Sequence, residues 1–323
     1  MSNVSAVASS ASSISSTLME FSWLWVPVVI FAALAQTVRN SAQRSLTQEL
    51  GTLSATLVRF LYGLPFAAIW LWLLYELPSQ TPAIPHMSGA YFAWIALGAF
   101  FQVAATAALL LAMKERNFAV AITLSKTEVL QVALFAAIFL HELPSGWALF
   151  AMVLATAGVF MLSLPPRGQL LSLSAWFSKS AIYGLVCGAC FAIATIGYRG
   201  AAIELNAQTP WLSGAWGVLI AQAMQTLGLG AWVQFKTERG LAPLFRAWKI
   251  STIAGSMGAA ASLAWFTAYA MQSAASVRTL GMVEVVFSYI VSRKVFSEYF
   301  SRAEKFGIAL VLMGLVLICL IGN

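Results

Sequence analysis

Residues 119–162 read AVAITLSKTEVLQVALFAAIFLHELPSGWALFAMVLATAGVFML, two apolar runs separated by Pro144, Ser145 and Gly146. Each run approaches the roughly 20 residues that a helix needs to cross the hydrocarbon core of a bilayer. Because no water is available in that core, a spanning segment must satisfy its own backbone, and a helix does so. The stretch therefore predicts two consecutive transmembrane helices.

A similar stretch returns at residues 276–317, SVRTLGMVEVVFSYIVSRKVFSEYFSRAEKFGIALVLMGLVL. An offset of 156 residues aligns Glu128 with Glu284 inside the two stretches. This offset, or one of 160 residues, also aligns Glu142 with Glu298, Ser145 with Ser301, Phe150 with Phe306, Gly158 with Gly314, and Arg39 with Arg199. The matches predict a duplicated unit of five helices. An odd number of helices inverts the second copy in the membrane, an arrangement common in transporters.

The rest of the chain has the same apolar character. Of its 323 residues 60% are hydrophobic and 9% are charged, whereas a soluble protein has roughly 25% charged residues. We therefore predict an all-α membrane protein of about ten transmembrane helices, built as two inverted five-helix repeats. The predicted segments are 22–45, 53–75, 90–112, 118–140, 146–164, 181–201, 211–233, 250–271, 275–296 and 304–321.

The termini and the basic residues complete this outline. Residues 1–20 are rich in Ser and lack the basic start of a signal peptide, so they are predicted to be a disordered tail. The first repeat then covers residues 21–165 and the second 166–323. The formal net charge of +7 is scattered over short connections rather than gathered in one stripe, which argues against nucleic acid as a partner.

The stretch Ala119–Leu162, with Glu142 at the end of the fourth segment and Gly158 in the fifth, resembles the EamA-type module of the drug/metabolite transporter superfamily. Ser276–Leu317 is similar to a second copy of that module. The resemblance implies ten helices, alternating access, and export or import of amino acids, nucleotide sugars, drugs or other metabolites. Many relatives carry a proline about where this chain reads Thr127-Glu128. If that proline shapes the family's site, the site here is built differently.

Charges inside apolar segments are the strongest indication of a site. A charge at the bilayer centre costs roughly 2.5–3.5 kcal/mol on insertion scales, so it is retained where it faces a cavity or a partner. Five charged positions qualify. We predict that they, with three polar or aromatic neighbours, bind substrate or couple transport. The set is Arg39, Arg59, Lys126, Glu128, Glu284, Gln36, Gln43 and Trp265.

The first segment carries a narrow polar stripe. Gln36, Arg39, Asn40 and Gln43 follow a spacing of i, i+3, i+4 and i+7, which places them on one face of a helix. This face either lines a cavity or forms a hydrogen-bonded seam between helices. Two further pairs, Trp265 with Tyr269 and Gln222 with Gln225, each share a helix face. They are either cavity walls or ordinary packing.

Lys126 and Glu128 pose a geometric problem. Two residues apart, they point about 200° away from each other on a regular helix. Either the helix is unwound there, or Lys126 faces a neighbouring helix. Glu128 and Glu284 either bind substrate or protons, or form structural ion pairs with Arg59 or Lys126. A carboxylate in a medium of low dielectric can exchange protons near neutral pH, so proton coupling fits, as do ion coupling and exchange.

Other features bear on the class of protein. The sequence contains no G-x-x-x-x-G-K-[ST] loop, and its two histidines lie in or near connections. Cys187 and Cys190 lie in an apolar run and are interpreted as packed thiols rather than as metal ligands. We therefore predict a secondary transporter of a small metabolite, an amino acid or a related polar or amphipathic compound, and not an enzyme. No cofactor or metal is expected. The alternatives are a membrane-embedded enzyme and a channel.

Location and orientation are also predicted. We expect a multi-pass protein of the plasma membrane, the inner membrane in a bacterium. Connections on one side hold 14 Lys and Arg residues, whereas the other side holds Arg199 and Arg278. Basic loops stay in the cytoplasm, so both termini should face away from it, although the family resemblance implies the opposite. Small residues such as Ala151, Ala155 and Gly307 predict close helix packing and could also form a homodimer.

Overall fold

The computed structural model describes residues 23–113, 124–163, 179–237, 240–287, 290 and 302–321. The described part of the chain is 86% helix and contains no strand. Every predicted apolar segment contains helix in its described part. The α-helices are α1 Trp25–Leu50, α2 Thr52–Leu61, α3 Leu64–Glu76, α4 Gly89–Met113, α5 Glu128–Phe135, α6 Gly146–Ser163, α7 Lys179–Leu205, α8 Pro210–Lys236, α9 Ala242–Arg246, α10 Trp248–Met271, α11 Ala274–Gly281 and α12 Arg302–Ile321. A π-helical turn, Ala136–Leu140, continues α5. The predicted tail, residues 1–20, and Glu298 lie outside the described residues.

Four stretches of helix are long and apolar enough to cross a membrane: Thr52–Glu76, Gly89–Leu109, Ala181–Leu205 and Ala303–Ile321. Two shorter apolar helices, Glu128–Leu140 and Gly146–Leu162, coincide with the fourth and fifth predicted segments. Helices α1, α8 and α10 are also long, at 26, 27 and 24 residues, but carry more polar side chains. These features confirm a helical, multi-pass membrane protein. The ten-helix inverted repeat remains a prediction.

Three antiparallel helix pairs form the framework: α4 with α7, α1 with α10, and α6 with α12. Small residues bring α6 and α12 together. A methyl group added at Gly158 would lie 2.6 Å from the carbonyl oxygen of Gly307, and one at Gly314 would lie 2.8 Å from Cβ of Ala155. Small residues of this kind let helix backbones approach each other in a membrane. The predicted small-residue face is thus used inside the chain.

This contact predicts the effect of a single methyl group. Gly158→Ala should lower the stability of the protein by about 1–3 kcal/mol, because the methyl group meets backbone atoms of α12 that cannot move alone. Gly228→Ala in α8 is the matched control, since nothing lies within 4 Å of its added methyl group. Thermal unfolding in detergent measures both variants. Equal melting temperatures for the two would contradict the close α6–α12 packing.

The helices are interrupted at three places along the walls of the bundle. Helix α1 ends at Leu50, and Gly51 alone, with φ of 73°, separates it from α2. Glycine adopts this positive φ without steric cost. A second break at Tyr62 and Gly63 divides α2 from α3. A third lies at Lys126 and Thr127, where a turn precedes α5.

Candidate functional site

A cavity of about 630 Å³ lies between α1, α2, α4, α5, α7, α10 and α11. All eight residues that the sequence singles out line it: Gln36, Arg39, Gln43, Arg59, Lys126, Glu128, Trp265 and Glu284. The fold therefore brings together side chains that are up to 248 positions apart in the chain. Their roles in binding or coupling remain predictions.

The polar stripe of α1 forms both a cavity wall and a hydrogen-bonded seam. Gln36 Nε2 donates to Glu284 Oε2, and Asn40 Nδ2 donates to Glu284 Oε1 at 2.9 Å. Trp265 Nε1 donates to Gln36 Oε1 at 3.1 Å, which ties α10 to the same network. Both oxygens of Glu284 thus accept from neutral amides, and the two interpretations of the stripe describe the same face.

Glu128 pairs with a residue that the sequence interpretation assigned to a connection. Nη2 of Arg278, on α11, lies 2.6 Å from Oε1 of Glu128. The contact is an ion pair without hydrogen-bond alignment, because this oxygen accepts no hydrogen bond. The Arg278 guanidinium also lies 5.2 Å from the ring centroid of Trp265. The suggested partners Arg59 and Lys126 are therefore wrong. The position of Arg278 inside the apolar segment 275–296 is the sequence signal that identifies it.

The break before α5 resolves the geometry of Lys126 and Glu128. A turn at Lys126 and Thr127 replaces regular helix, so both charged side chains reach the same cavity. Glu128 is the first residue of α5, where the helix dipole favours a negative charge. The unwound alternative is thus the correct one, and the chain breaks here without the proline found in many relatives.

Arg39 and Arg59 come together on another wall of the cavity. Each is 8% exposed. A methyl group added at Gly258 on α10 would lie 3.0 Å from Cγ of Arg59 and 3.4 Å from Cδ of Arg39. Arg39 donates from Nε and Nη2 to Oδ1 of Asn40 at 3.2 and 2.7 Å. Glycine at position 258 leaves room for the two stems to pass over α10.

Neutral polar residues complete the walls, and sequence reasoning missed several of them, Gln102 and Tyr198 among them. Gln225 Nε2 donates to Gln102 Oε1 at 2.6 Å, and the Tyr198 hydroxyl donates to the same oxygen at 3.0 Å. Gln102 and Tyr198 line the cavity, whereas Gln225 supports them from behind. Trp265 and Tyr269 stack, with ring centroids 6.2 Å apart, and both line the cavity. The sequence indicated Trp265 and Tyr269 because they share a helix face, whereas residue spacing does not indicate that Gln102 or Tyr198 lines a cavity.

A second polar cluster lies beyond the end of the cavity marked by Tyr269. Arg199 Nε lies 2.7 Å from Glu142 Oε1, and Nη1 of Arg199 donates to the carbonyl oxygen of Tyr269. Glu142 Oε2 also accepts from the backbone N–H of Ala274 at 3.3 Å. Glu142 thus anchors the connection before α11 through its contacts with Arg199 and Ala274. The cluster joins α7 to the connections that follow α5 and α10.

The helices and the charged cavity define a multi-pass membrane protein with a polar chamber at its centre. Residues 23–164 match the model described as the EamA-like transporter family, a family of the drug/metabolite transporter superfamily. The resemblance seen in the sequence is thereby confirmed. The match covers the first predicted repeat, and the second copy remains a prediction.

Solved structures share the fold. One, described only as "Crystal structure of protein", aligns with a TM-score of 0.67 at 16% sequence identity, over 93% of this chain and 97% of that chain. At this identity the likeness concerns the fold alone. Comparison with the curated proteins finds no match.

Proposed function

We propose that the protein is a secondary transporter that moves a small metabolite across the membrane by alternating access. The substrate would be an amino acid or a related polar or amphipathic compound bound in the central cavity. The observation that carries this proposal is the enclosure of six charged side chains in one chamber of a protein from a transporter superfamily. Buried charges of this kind mark substrate and ion pathways in membrane proteins.

The helix pairing supports two inverted halves, residues 21–165 and 166–323. Among the predicted segments, numbered in chain order, the third packs on the sixth and the first packs on the eighth. Each segment of the first half corresponds to the segment five places later, so exchanging the two halves turns the first of these pairs into the second. The fifth and tenth segments correspond to each other and also pack on each other, so exchanging the halves leaves this pair unchanged. Such pairing is expected of a duplicated unit with its site between the copies.

The two ends of the cavity also fit alternating access. At one end Thr47 and Thr52 line it on either side of Gly51, where α1 gives way to α2. At the other end the Glu142–Arg199 cluster lies directly beyond Tyr269. The chamber extends to one end of the bundle, and an ion-paired cluster bounds it at the other end. A transporter that is open to one side of the membrane and closed to the other would have this arrangement.

Coupling would involve the two carboxylates, Glu128 and Glu284. Each lies at the cavity and already binds a neighbouring side chain, Arg278 or the amides of α1. Loss or gain of a proton at either carboxylate would change these contacts. Proton coupling is therefore the mechanism that we propose for energising transport.

A flux measurement with the purified full-length protein in liposomes tests the function. We expect uptake of a metabolite from a chemically varied panel that saturates with concentration and accelerates when the liposomes contain the same compound. Liposomes without protein are the control. A flux that neither saturates nor shows counterflow would indicate a channel, and recovery of a chemically changed compound would indicate an enzyme. Either result would contradict the proposal.

A further inference from the structure

The charges around the cavity do not balance. Four cations line it, Arg39, Arg59, Lys126 and Arg278, against two anions, Glu128 and Glu284. Arg278 pairs with Glu128. Both oxygens of Glu284 accept from amides, and Arg39 reaches this carboxylate only through Asn40. Two positive charges therefore have no anion to neutralise them within the described residues.

Arg59 is the least compensated of the cations. The residue is only 8% exposed, and no hydrogen bond or ion pair to its guanidinium occurs among the described residues. Its guanidinium carbon lies 4.6 Å from the ring centroid of Phe60. Arg39 is its neighbour over Gly258 and repels it. Lys126, also at the cavity, likewise forms no ion pair in the described part of the chain.

A buried cation without a partner is costly, and two cations side by side are more so, unless they serve a ligand. A guanidinium group presents a planar fork of N–H donors that matches the oxygens of a carboxylate or a phosphate. We propose that an oxyanion of the substrate, a carboxylate or a phosphate, binds between Arg39 and Arg59, and that the transported compound is a small organic anion. This inference rests on the proposed function, because it names the substrate class of the same cavity.

The other walls indicate what the rest of the molecule would contact. Trp265 and Tyr198 line the same chamber, and Trp265 is fixed by its hydrogen bond to Gln36, one turn from Arg39. A short carbon skeleton that carries the oxyanion would therefore lie against aromatic faces. An excess of two positive charges favours a compound with two negative charges, such as a dicarboxylate or a phosphate ester.

Sulfate tests the arginine pair whatever the natural substrate is, since it carries oxyanion charge and no side group. The measurement is thermal unfolding of the purified full-length protein in detergent, titrated with sulfate against chloride at equal ionic strength. We expect saturable stabilisation by sulfate at millimolar concentrations. General stabilisation by sulfate acts on every variant alike, so a difference between variants reports the site.

Three variants locate the effect. Arg59→Gln should weaken sulfate binding by about tenfold or more, because a charge-assisted hydrogen bond is lost. Its unfolding temperature without sulfate should not fall, since the substitution removes repulsion with Arg39. Arg59→Lys should bind sulfate with intermediate affinity, because lysine keeps the positive charge but lacks the planar set of N–H donors of a guanidinium group. Arg246→Gln, an exposed arginine on α9, is the matched control and should behave as the wild type. No saturable sulfate effect, or an equal one in Arg59→Gln, would overturn the proposal.

Matched organic pairs then define the ligand: succinate with succinamide, and glycerol 3-phosphate with glycerol. We expect the acid of at least one pair to stabilise the wild type, and its neutral partner to have no effect. Stabilisation by neutral partners alone would overturn the inference, even if the liposome assay shows transport. Arginine-dependent binding of an acid without flux would leave this inference standing and contradict the transport function.

Discussion

Replacing Glu128 with glutamine is expected to stop transport and to lower the free energy of unfolding by about 3–5 kcal/mol. Glu128 is 8% exposed, and its carboxylate lies 2.6 Å from the guanidinium of Arg278. Glutamine keeps the shape of the side chain but leaves Arg278, whose side chain is 21% exposed, as a partly buried cation without its counter-charge. The loss of stability arises from that cation, whereas the loss of transport would arise from the missing carboxylate.

A double-mutant cycle separates the two effects. Arg278→Gln alone should be as damaging to stability as Glu128→Gln, and the combined variant should recover most of the stability because neither member of this pair remains as an unpaired charge. Transport should not recover with it. The measurements are unfolding in detergent and flux in liposomes across a range of pH. Wild-type flux and pH dependence in Glu128→Gln would show that the carboxylate is structural, and the site assignment would then be wrong.

Glu284→Gln serves as the comparison in the second predicted repeat. The neighbours of Glu284 are the amides of Gln36 and Asn40, and the single oxygen of a glutamine can still accept from one of them. No ion-paired cation loses its counter-charge, so less stability should be lost than in Glu128→Gln. If Glu284 takes part in coupling, Glu284→Gln should impair transport more than it impairs folding, whereas Glu128→Gln should impair both.

The second large effect is expected from Arg199→Gln, which removes the cluster beyond Tyr269. Arg199 binds Glu142 at 2.7 Å and the carbonyl oxygen of Tyr269, and both charged side chains are less than a fifth exposed. Hydrogen bonds to charged groups are worth about 1.5–3 kcal/mol each. If these contacts stabilise one access state, their loss should raise the population of the other state by about 10- to 100-fold.

Accessibility of a cysteine at Ser262, which lines the cavity, measures this change. The background variant replaces Cys187, Cys190 and Cys319. In Arg199→Gln an impermeant thiol reagent added at the Glu142 end should label this cysteine at least about ten times faster than in the background variant. Glu204→Gln is the control, since Glu204 lies on α7 near the same end but binds Ser88 and not the cavity cluster. Equal labelling in both variants would exclude the cluster as a gate.

The sequence predicts the cavity residues well because a charge inside an apolar segment is conspicuous. Arg39, Arg59, Glu128 and Glu284 were identified in this way, and all four line one chamber. Neutral polar residues are less distinctive in apolar helices, so Gln102 was missed. Its place at the cavity depends on the packing of α4 against α7, which no spacing within one segment reveals.

Contacts between helices were harder to predict than the positions of charged residues within one segment. Arg278 lies near the start of its segment and was assigned to a connection, yet it is the counter-ion of Glu128. Lys126 and Glu128 appeared incompatible because periodicity assumes a regular helix, and the turn before α5 removes that assumption. Arg39, Arg199 and Arg278 all lie within helices and make contacts inside the bundle. The orientation prediction therefore depends on the other basic residues in the connections.

Gly51 has a mechanical consequence for the two arginines. It is the single residue between α1 and α2, so any change of angle between these helices must occur at this one joint. Arg39 lies twelve residues before the joint and Arg59 eight after it, which on helices corresponds to lever arms of about 18 and 12 Å. A swing of about 10° at Gly51 would displace Arg39 by about 3 Å, the length of a hydrogen bond. The joint can thus open or close the gap between the two guanidinium groups while each helix moves as a rigid rod.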